Sequence, residues 1–454
     1  MDTYVNDTIC AIATAPGGAV AIVRVSGPGA RALCRPFWKS EGGKTVDRLT
    51  PRALVLGCFM DGGSIIDPSC LAVLMPGPRS YTGEDVVEFH CHGGAVCARM
   101  LLRSLLRGGI RHAEPGEFTK RAFLNGRMDL TQAEAVADMV SAGSEAALRM
   151  AGMQLQGCIG RRVDSISDEL DAIRAEVESR LDFPEEDLEW LGVDEMLSSL
   201  ERLCGALEDL ARSRDYGELM RGGASLVIAG APNVGKSSLL NRMLGRDRVI
   251  VSDVPGTTRD TVEACAQLGG IPFRLVDTAG IRGGGDQVEK EGMERSMKAA
   301  ASADVLLWVM DGTAAPGEHP FPGWPVHGHL ISVVNKADAM DGGMKAAYLA
   351  DAPSSVFVSA MTGEGMDGLY SAMEEAVLQG AHSWEEMGVS ARHASLLEQA
   401  SSSVRQAMHF AGTEEWELVA VHLRDAVAAI GRITGRTVLP DVLDDIFSRF
   451  CIGK

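Results

Sequence analysis

One octapeptide, Gly230-Ala-Pro-Asn-Val-Gly-Lys-Ser237, constrains the fold more than any other segment of the chain. It follows a strand-like apolar run at 225–229, precedes a helical stretch, and fits the pattern G-x-x-x-x-G-K-[ST]. Glycines allow backbone N–H groups to curl around phosphate oxygens, and a helix N-terminus favours an anion. Lys236 is expected to reach the β- and γ-phosphates, and Ser237 to hold Mg²⁺. The segment predicts a phosphate-binding loop in an α/β sheet.

The apolar pattern divides the chain into four segments. Residues 1–125 contain short apolar runs between turn residues, which predicts a strand-rich α+β domain. Residues 126–222 and 382–454 have apolar side chains three or four positions apart, which is typical of helices. Residues 223–381 alternate strands with helices, which is typical of a mostly parallel sheet. We expect a multidomain α/β chain in which this last domain is inserted into one discontinuous helical domain.

Single elements follow from the same patterns. One helix is predicted from a stripe that ends before Pro184, and its apolar members are Val163, Ile166, Leu170, Ile173, Val177 and Leu181. The proline-rich residues 312–328 predict an irregular surface loop. Predicted strands cover residues 20–25, 53–57, 71–75, 86–90, 225–229, 273–276, 305–310, 330–334 and 356–358.

Composition excludes several classes of protein. The net charge is −19, so the chain lacks the dominant basic surface of a free-standing nucleic-acid-binding protein. Apolar runs such as 305–310 are too short to span a bilayer, and the first residues lack the pattern of a secretory signal. The 10 cysteines form no Cys-x-x-Cys pair, which favours reduced thiols in the cytoplasm. His90-Cys91-His92 cannot hold one metal with all three side chains, because neighbours on a strand face opposite ways.

Three further motifs follow predicted strands of the central domain. Asp277-Thr-Ala-Gly280 suits a Mg²⁺-supporting carboxylate and an N–H for the γ-phosphate. In Asn335-Lys-Ala-Asp338, the last carboxylate can accept two hydrogen bonds from guanine that adenine does not offer. Ser359-Ala360 offers a backbone N–H to guanine O6. Ligands bind at the carboxyl ends of such strands, so this order resembles a Ras-like GTPase domain that is specific for GTP over ATP.

The segment between the phosphate loop and Asp277 predicts a switch loop. Its Gly256-Thr-Thr element offers a hydroxyl that can join Mg²⁺ while the γ-phosphate is present; an ordinary polar loop is the alternative. Ile281 stands where Ras-like proteins carry a water-positioning Gln, and no arginine finger is evident. Asn233 could instead help to coordinate a monovalent cation, and Glu289, after a glycine run, could orient water.

Taken together, these motifs resemble the MnmE (TrmE) family of tRNA-modification GTPases over essentially the whole chain. The tail Phe450-Cys-Ile-Gly-Lys454 is the most diagnostic of them. The others are Asp7-Thr-Ile, Arg24-Val-Ser-Gly27, Tyr81-Thr-Gly-Glu-Asp-Val86, His92-Gly-Gly94, Pro115-Gly-Glu-Phe118, Arg121-Ala-Phe-Leu-Asn125, Asp129-Leu-Thr-Gln-Ala-Glu-Ala135, Asp182-Phe-Pro184, Gly230 to Asn241 and Gly256-Thr-Thr-Arg-Asp260.

The resemblance implies a set of ligand-binding residues. K⁺ would be bound by Asn233, Thr257 and the carbonyls of Ser252 and Val254, and Mg²⁺ by Ser237 and Thr258. Glu289 matches the family's water-orienting glutamate, and Lys236 acts on the phosphates. The N-terminal domain looks like the family's folate-binding and dimerisation domain, with Arg24, Glu88, Arg127 and Lys454 at the folate. The nucleotide site would comprise Asn233, Val234, Gly235, Lys236, Ser237, Ser238, Ser252, Asp253, Val254, Pro255, Gly256, Thr257, Thr258, Asp277, Thr278, Ala279, Gly280, Asn335, Lys336, Ala337, Asp338, Ser359, Ala360 and Met361.

The resemblance also implies partners and a reaction. A homodimer would join the flavoprotein MnmG (GidA) in a heterotetramer, and the partner would make most of the contact with tRNA. Together they would add an aminomethyl or carboxymethylaminomethyl group to C5 of the wobble uridine, with a one-carbon unit from 5-formyl- or methylene-tetrahydrofolate. Cys451 is either a nucleophile towards uridine C6 or a buried structural thiol.

Two other functions fit parts of the sequence. A ribosome-assembly GTPase would share the phosphate loop and Asp277-Thr-Ala-Gly280, but such proteins usually add a basic RNA-binding domain, which this chain lacks. A folate-dependent enzyme with an idle GTPase domain is disfavoured, because the GTPase motifs are complete.

Overall fold

The computed structural model describes residues 7–15, 17–183, 191–246, 249–250, 264–276, 297–318, 320–378 and 387–454. These residues divide into two compact units. The first comprises Met1–Ala137, Gly160–Ser167 and Ala428–Lys454, and the second comprises Asp138–Ile159 and Asp168–Val427. Mixed α/β structure is confirmed, and each unit is described by itself below.

The helices of the described residues connect and cover two sheets. In chain order they are α1 (Ala30–Cys34), α2 (Ala95–Arg107), α3 (Glu117–Leu124), α4 (Leu130–Ser141), α5 (Glu145–Leu155), α6 (Cys158–Asp182), α7 (Val193–Arg212), α8 (Arg214–Gly222), α9 (Lys236–Arg246), α10 (Gly342–Asp351), α11 (Met366–Leu378), α12 (Ala391–Gly412), α13 (Trp416–Thr434) and α14 (Pro440–Ser448). The stripe predicted on α6 is confirmed: Val163, Ile166, Leu170 and Val177 are buried.

The first unit contains a seven-stranded sheet in the order β3-β4-β5-β6-β2-β1-β7. Its strands are β1 (Ile9–Ile12), β2 (Val20–Ser26), β3 (Trp38–Ser40), β4 (Val55–Asp61), β5 (Ser64–Met75), β6 (Val86–His92) and β7 (Arg111–His112). Neighbours are antiparallel except β1 and β7. Alternation decides what each face carries: Val23 and Phe89 enter the core, while their neighbours Arg24 and Glu88 pair on the opposite face.

A buried ion network joins several of the family-like motifs of this unit. The Arg121 side chain is 4% exposed and contacts carboxylates of Asp7, Glu84 and Glu117. Arg111 also binds Asp7 and Glu117. Burial opposes ionisation of Glu117, but hydrogen bonds from Arg111, the Glu114 N–H and Arg121 keep the pKa of its carboxyl below the ordinary value. These motifs therefore hold β1, the loop before β6 and α3 together.

The C-terminal tail folds back onto the start of α3. Ile452 forms a β-bridge with Pro115, and the Phe118 N–H donates to the Lys454 carbonyl at 3.1 Å. Gly453 has φ +99°, and a Cβ there would lie 2.3 Å from the Ile12 carbonyl oxygen. Only glycine therefore fits this position of the tail without strain.

The second unit contains a seven-stranded sheet in the order β14-β13-β12-β8-β11-β10-β9. Its strands are β8 (Ala224–Gly230), β9 (Val249–Ile250), β10 (Ala264–Leu268), β11 (Ile271–Leu275), β12 (Val305–Asp311), β13 (His329–Asn335) and β14 (Val356–Phe357). The five strands from β14 to β11 in this order are parallel, and β10 is antiparallel to both of its neighbours. The predicted, mostly parallel sheet is confirmed.

Helices from before and after this sheet in sequence pack together in the same unit. α7 lies against α12, where the Cys204 thiol donates to the Ser401 carbonyl at 3.6 Å. The Gln154 amide donates to the Gly388 carbonyl at 2.6 Å. Segments that are far apart in sequence thus share one helical layer.

The proline-rich residues are irregular where the structure describes them, as predicted, but they are partly built into the protein. Phe321 and Trp324 each pack edge-on against Trp308 of β12, with ring centroids 5.5 Å apart. This aromatic cluster covers one face of the sheet.

No helix among the described residues combines the length and the apolar character that crossing a bilayer requires.

Candidate functional site

The carboxyl ends of the parallel strands bring the predicted nucleotide-binding loops to one edge of the sheet. The phosphate loop follows β8, Asn335 ends β13, and Ser359 lies two residues beyond the end of β14. β12 separates β8 from β13, and it ends in Asp311. This edge is where a doubly wound sheet binds its ligands.

The phosphate loop has the backbone that its sequence predicts. Asn233 and Gly235 have positive φ angles of 61° and 95°. A Cβ on Gly230 would lie 2.2 Å from the Val309 carbonyl oxygen, so the loop can leave β8 only with glycine there. The Lys236 ammonium donates to the carbonyls of Gly230 and Ala231 at 2.9 and 2.7 Å. The cation therefore lies against the inside of the loop, at the start of α9.

One buried amide connects the phosphate loop to the loops expected at the base. Asn335 is 2% exposed. Its Nδ2 donates to the Val234 carbonyl at 2.9 Å, and its Oδ1 accepts from the Ala360 N–H at 3.0 Å. Both ends of the amide are thus used, and the two halves of the predicted site have a fixed separation.

The residues expected to recognise guanine surround this amide. Asp338 is exposed, so its carboxylate is accessible to a base. The Lys336 ammonium pairs with Asp311 at 2.5 Å. Burial opposes ionisation of Asp311, but hydrogen bonds from Lys336 and Thr313 hold the pKa of its carboxyl below the ordinary value. A backbone N–H of Ser359-Ala360 was predicted to meet guanine O6. Here the Ala360 N–H donates to Asn335 and the Ser359 N–H to the Glu364 carbonyl, so O6 would have to share one of these donors.

Other predicted residues of the nucleotide site lie outside the described residues. They are Ser252, Asp253, Val254, Pro255, Gly256, Thr257, Thr258, Asp277, Thr278, Ala279, Gly280 and Glu289. The described part of the site is therefore its phosphate loop and its base loops. In the phosphate loop Ser237 and Ser238 are exposed on the first turn of α9, and Val234 is buried beneath it.

The first unit brings the predicted folate residues to one face. Arg24 Nε lies 2.7 Å from Glu88 Oε1, so the two residues form an ion pair. Glu88 Oε2 lies 3.3 Å from His90 Nε2. Burial opposes ionisation of Glu88, but the His90 hydrogen bond and Arg24 keep the pKa of its carboxyl below the ordinary value.

Two aromatic residues, Tyr81 and Phe118, lie close to Arg24 and to the segments that contact Arg127 and Lys454. The Arg24 guanidinium lies 5.3 Å from the ring centre of Tyr81 and 5.6 Å from that of Phe118. Phe118 is the residue that binds the Lys454 carbonyl. The Arg127 Nε donates to the carbonyl of Ser80, next to Tyr81, at 3.0 Å. Arg24 thus contacts both rings, Lys454 meets Phe118 through the backbone, and Arg127 binds the residue before Tyr81.

Cys451 in the folded-back tail is exposed. The alternative of a buried structural thiol is therefore wrong. The Cys451 carbonyl oxygen accepts from the Gly116 N–H at 3.5 Å and from the Lys454 N–H at 3.3 Å. An exposed thiol is available to react.

Comparisons with known proteins show which family the chain resembles. The family model described as "MnmE helical domain" matches residues 130–451, and "GTP-binding protein TrmE N-terminus" matches residues 8–127. A "tRNA modification GTPase MnmE" of Akkermansia muciniphila is 43% identical over 98% of this chain and 99% of its own length. The protein of the same name from Geobacter sulfurreducens is 43% identical over 99% of this chain and 100% of its own.

The chain belongs to the MnmE family. The resemblance inferred from the motifs is thus confirmed, and so is the prediction that the chain is a GTP-hydrolysing enzyme.

Sequence reasoning missed several residues of these MnmE-family sites. Arg242 of α9 donates to the carbonyls of Ala360 and Met361 and so holds the second base loop against the phosphate-loop helix. His90 contacts Glu88, and Tyr81 lies under Arg24. The i, i+2 spacing of Glu88 and His90 on one strand could have indicated the contact between them. No local sequence pattern indicated the contacts of Arg242.

Asp338→Asn tests base recognition in this MnmE-family chain. The change removes the charged acceptor for guanine N1–H and the 2-amino group. A hydrogen bond to a charged group contributes about 1.5–3 kcal/mol to binding. Because two such bonds are affected, we expect GTP affinity to fall by about 100-fold or more. Xanthosine triphosphate should bind better than to the wild type, because the new amide can donate to its C2 carbonyl. Competition titrations of the three nucleotides measure this. Glu364→Gln, an exposed carboxylate nearby, serves as control; unchanged selectivity in Asp338→Asn would remove the assigned contact.

Proposed function

We propose that this chain is a K⁺-dependent GTP hydrolase that, with the flavoprotein MnmG, adds an aminomethyl or carboxymethylaminomethyl group to C5 of the wobble uridine of certain tRNAs. A tetrahydrofolate, 5-formyl or methylene, supplies the one-carbon unit. The observation that carries the proposal is the Asn335 bridge, which joins a phosphate loop and a guanine-type loop in a chain whose relatives are named tRNA modification GTPases.

The described residues fit GTP and Mg²⁺. Lys236 places a cation where the β- and γ-phosphates enter, and the α9 N-terminus adds a favourable field. Ser237 is an exposed hydroxyl on the first turn of α9, and hard oxygen donors of this kind are what Mg²⁺ takes beside phosphates. Thr258 completes the proposed Mg²⁺ set. When bound, Mg²⁺ would neutralise charge on the phosphates.

K⁺ is proposed to supply the positive charge that an arginine finger supplies in other GTPases. Asn233 is exposed at the tip of the phosphate loop, which leaves its amide oxygen accessible to a cation. Thr257 and the carbonyls of Ser252 and Val254 complete the proposed set, and Glu289 orients the water. A positive charge beside the β–γ bridge stabilises the charge that develops in phosphoryl transfer.

Asn233→Gly tests the K⁺ site without straining the loop, because glycine also accepts the φ of 61°. In the wild type we expect single-turnover GTP hydrolysis to be at least about tenfold faster in KCl than in NaCl at matched ionic strength. In Asn233→Gly this ratio should fall towards unity while GTP affinity changes little. Equal wild-type rates in the two salts would contradict the assignment.

The first unit is proposed to bind the folate. A pterin donates hydrogen bonds from N3 and its 2-amino group, and Glu88 on the face of β6 is an ionised acceptor for them. Arg24, the exposed Arg127 and Lys454 supply cations for the glutamate tail of the folate. Tyr81, only partly buried, offers a flat surface. The Arg24–Glu88 pair orients the acceptor before the ligand arrives.

Glu88→Gln separates folate binding from a purely structural ion pair. We expect 5-formyltetrahydrofolate affinity to fall about 10- to 100-fold, because the amide is a weaker acceptor. Asp85→Asn is the matched control, since it breaks the comparable half-buried pair of Asp85 with Arg31. Calorimetric titrations and thermal melts of both variants should show similar small losses of stability and a loss of binding only in Glu88→Gln. Equal folate affinity in the two variants would make the Arg24–Glu88 pair structural.

The proposed partners come from the resemblance to the MnmE family, and the charge of the chain is compatible with them. With a net charge of −19, the chain is suited to leave most of the tRNA contact to MnmG. We place the homodimer, formed through the N-terminal domains, in a cytoplasmic heterotetramer with MnmG. The exposed Cys451 thiol is proposed as the nucleophile towards uridine C6.

Mass spectrometry of wobble uridines tests the whole proposal. Cells that lack this protein should contain tRNA without the C5 aminomethyl-type groups, and the wild-type gene should restore them. A Lys236→Ala gene should not restore them, because the variant cannot hold the phosphates. Normal C5 modification with altered ribosome profiles would instead favour a ribosome-assembly GTPase.

A further inference from the structure

A second cluster of polar side chains lies at the end of β6, apart from the Arg24–Glu88 face. It contains Asp67 of β5, Cys91 of β6 and Cys97 of α2, and their ligand atoms all lie within 4.8 Å of one another. Asp67 and Cys91 are 1% and 2% exposed, and Cys97 is partly buried. A carboxylate with two thiols in a nearly closed space is a set of metal-binding groups.

The exclusion drawn from His90-Cys91-His92 holds for the three side chains together. Cys91 and His92 can still share a site, because His92 is the last residue of β6 and both side chains come close to Asp67. His90 turns to Glu88 on the opposite face of β6 from Cys91. Cys91 instead meets Asp67 of the neighbouring strand β5 and Cys97 of the helix that follows β6. The register of β5 against β6 brings Asp67 close to Cys91, and no local sequence motif indicates this contact.

His92 supplies a fourth group at the same place. Its Nδ1 lies 3.0 Å from both carboxylate oxygens of Asp67, and its side chain is 69% exposed. The Cys97 thiol donates to Asp67 Oδ2 at 3.7 Å. In a tetrahedral zinc site, bonds of about 2.0–2.3 Å place neighbouring ligand atoms about 3.3–3.8 Å apart. Asp67, Cys91 and Cys97 therefore need only small side-chain shifts to reach such separations, whereas the exposed His92 side chain contacts Asp67 and must turn towards the sulfurs to become a fourth ligand.

We propose that Asp67, Cys91, Cys97 and His92 form a structural site for Zn²⁺ or a chemically similar divalent ion. On binding, each thiol releases its proton to solvent and forms a metal–sulfur bond, Asp67 contributes one oxygen, and His92 binds through Nδ1 with its proton on Nε2. Four protein ligands leave no open position, so the site is structural. The ion would tie β5, β6 and the first turn of α2 together, and β6 is the strand that carries Glu88.

Metal titrations of the full-length, nucleotide-free protein under a non-chelating reductant test this site. Co²⁺ should give the thiolate charge-transfer band and the visible bands of a tetrahedral site, at about one ion per chain, and Zn²⁺ should displace it. Cys97→Ser should abolish these bands. Cys58→Ser, a partly buried thiol outside the cluster, and Cys451→Ser, an exposed thiol, should retain them.

His92→Ala provides a variant that keeps the core intact, because the side chain is mostly exposed. It should weaken Co²⁺ binding by at least about tenfold and change the visible bands. Zn²⁺ should also raise the melting temperature of the wild type and of Cys451→Ser. Absence of thiolate-bound cobalt in the wild type, or bands unchanged in Cys97→Ser, would overturn the proposal. Unchanged binding by His92→Ala would overturn the assignment of the fourth ligand.

Discussion

The nucleotide site of this protein depends on one buried side-chain amide. Asn335 donates to the Val234 carbonyl and accepts from the Ala360 N–H, so it satisfies one polar group in each of two loops. A buried polar group without a partner costs about 1–3 kcal/mol, so these three groups hold one another in place. Because the loops leave different strands, the bridge sets the distance between the phosphate end and the base end of the site.

In the first unit, charged side chains hold separate elements together in a comparable way. Arg121 is buried among Asp7, Glu84 and Glu117, and removal of its charge would leave Asp7 and Glu117 with Arg111 as their remaining cation. The same helix, α3, receives the C-terminal tail through Phe118. The network therefore fixes the support on which Lys454 and Cys451 lie, and it connects the tail to the face that carries Arg24 and Glu88.

Much of this architecture could be predicted from the sequence because the signals are local. The phosphate loop needs glycines at fixed positions, and the five parallel strands of the second sheet are short apolar runs, so both were predicted correctly. The antiparallel strands β9 and β10 were not predicted. The Asn335 bridge also lies within a recognisable motif. By contrast, Arg242 reaches the Ala360 carbonyl from a helix more than one hundred positions earlier, and no pattern in either segment indicates that contact.

Other features escaped prediction for the same reason. The proline-rich segment was correctly predicted to be irregular, but its packing against Trp308 depends on the shape of the sheet. Cys451 is exposed because of the path of the tail, in which Gly453 packs closely against Ile12. The meeting of Asp67 with Cys91 and Cys97 follows from strand register. Each depends on tertiary contacts, which cannot be predicted from residue type or from the periodicity of the sequence.

The central claim is that Asn335 couples the two halves of the nucleotide site, and GDP affinity of Asn335→Ala tests it most directly. Loss of both hydrogen bonds should raise the Kd for GDP by about 10- to 100-fold, and preference for GDP over ADP should fall as well. Ser332→Ala, on the same strand and only partly buried, is the matched control and should bind as the wild type does. An unchanged Kd for GDP in a folded Asn335→Ala protein would contradict the account.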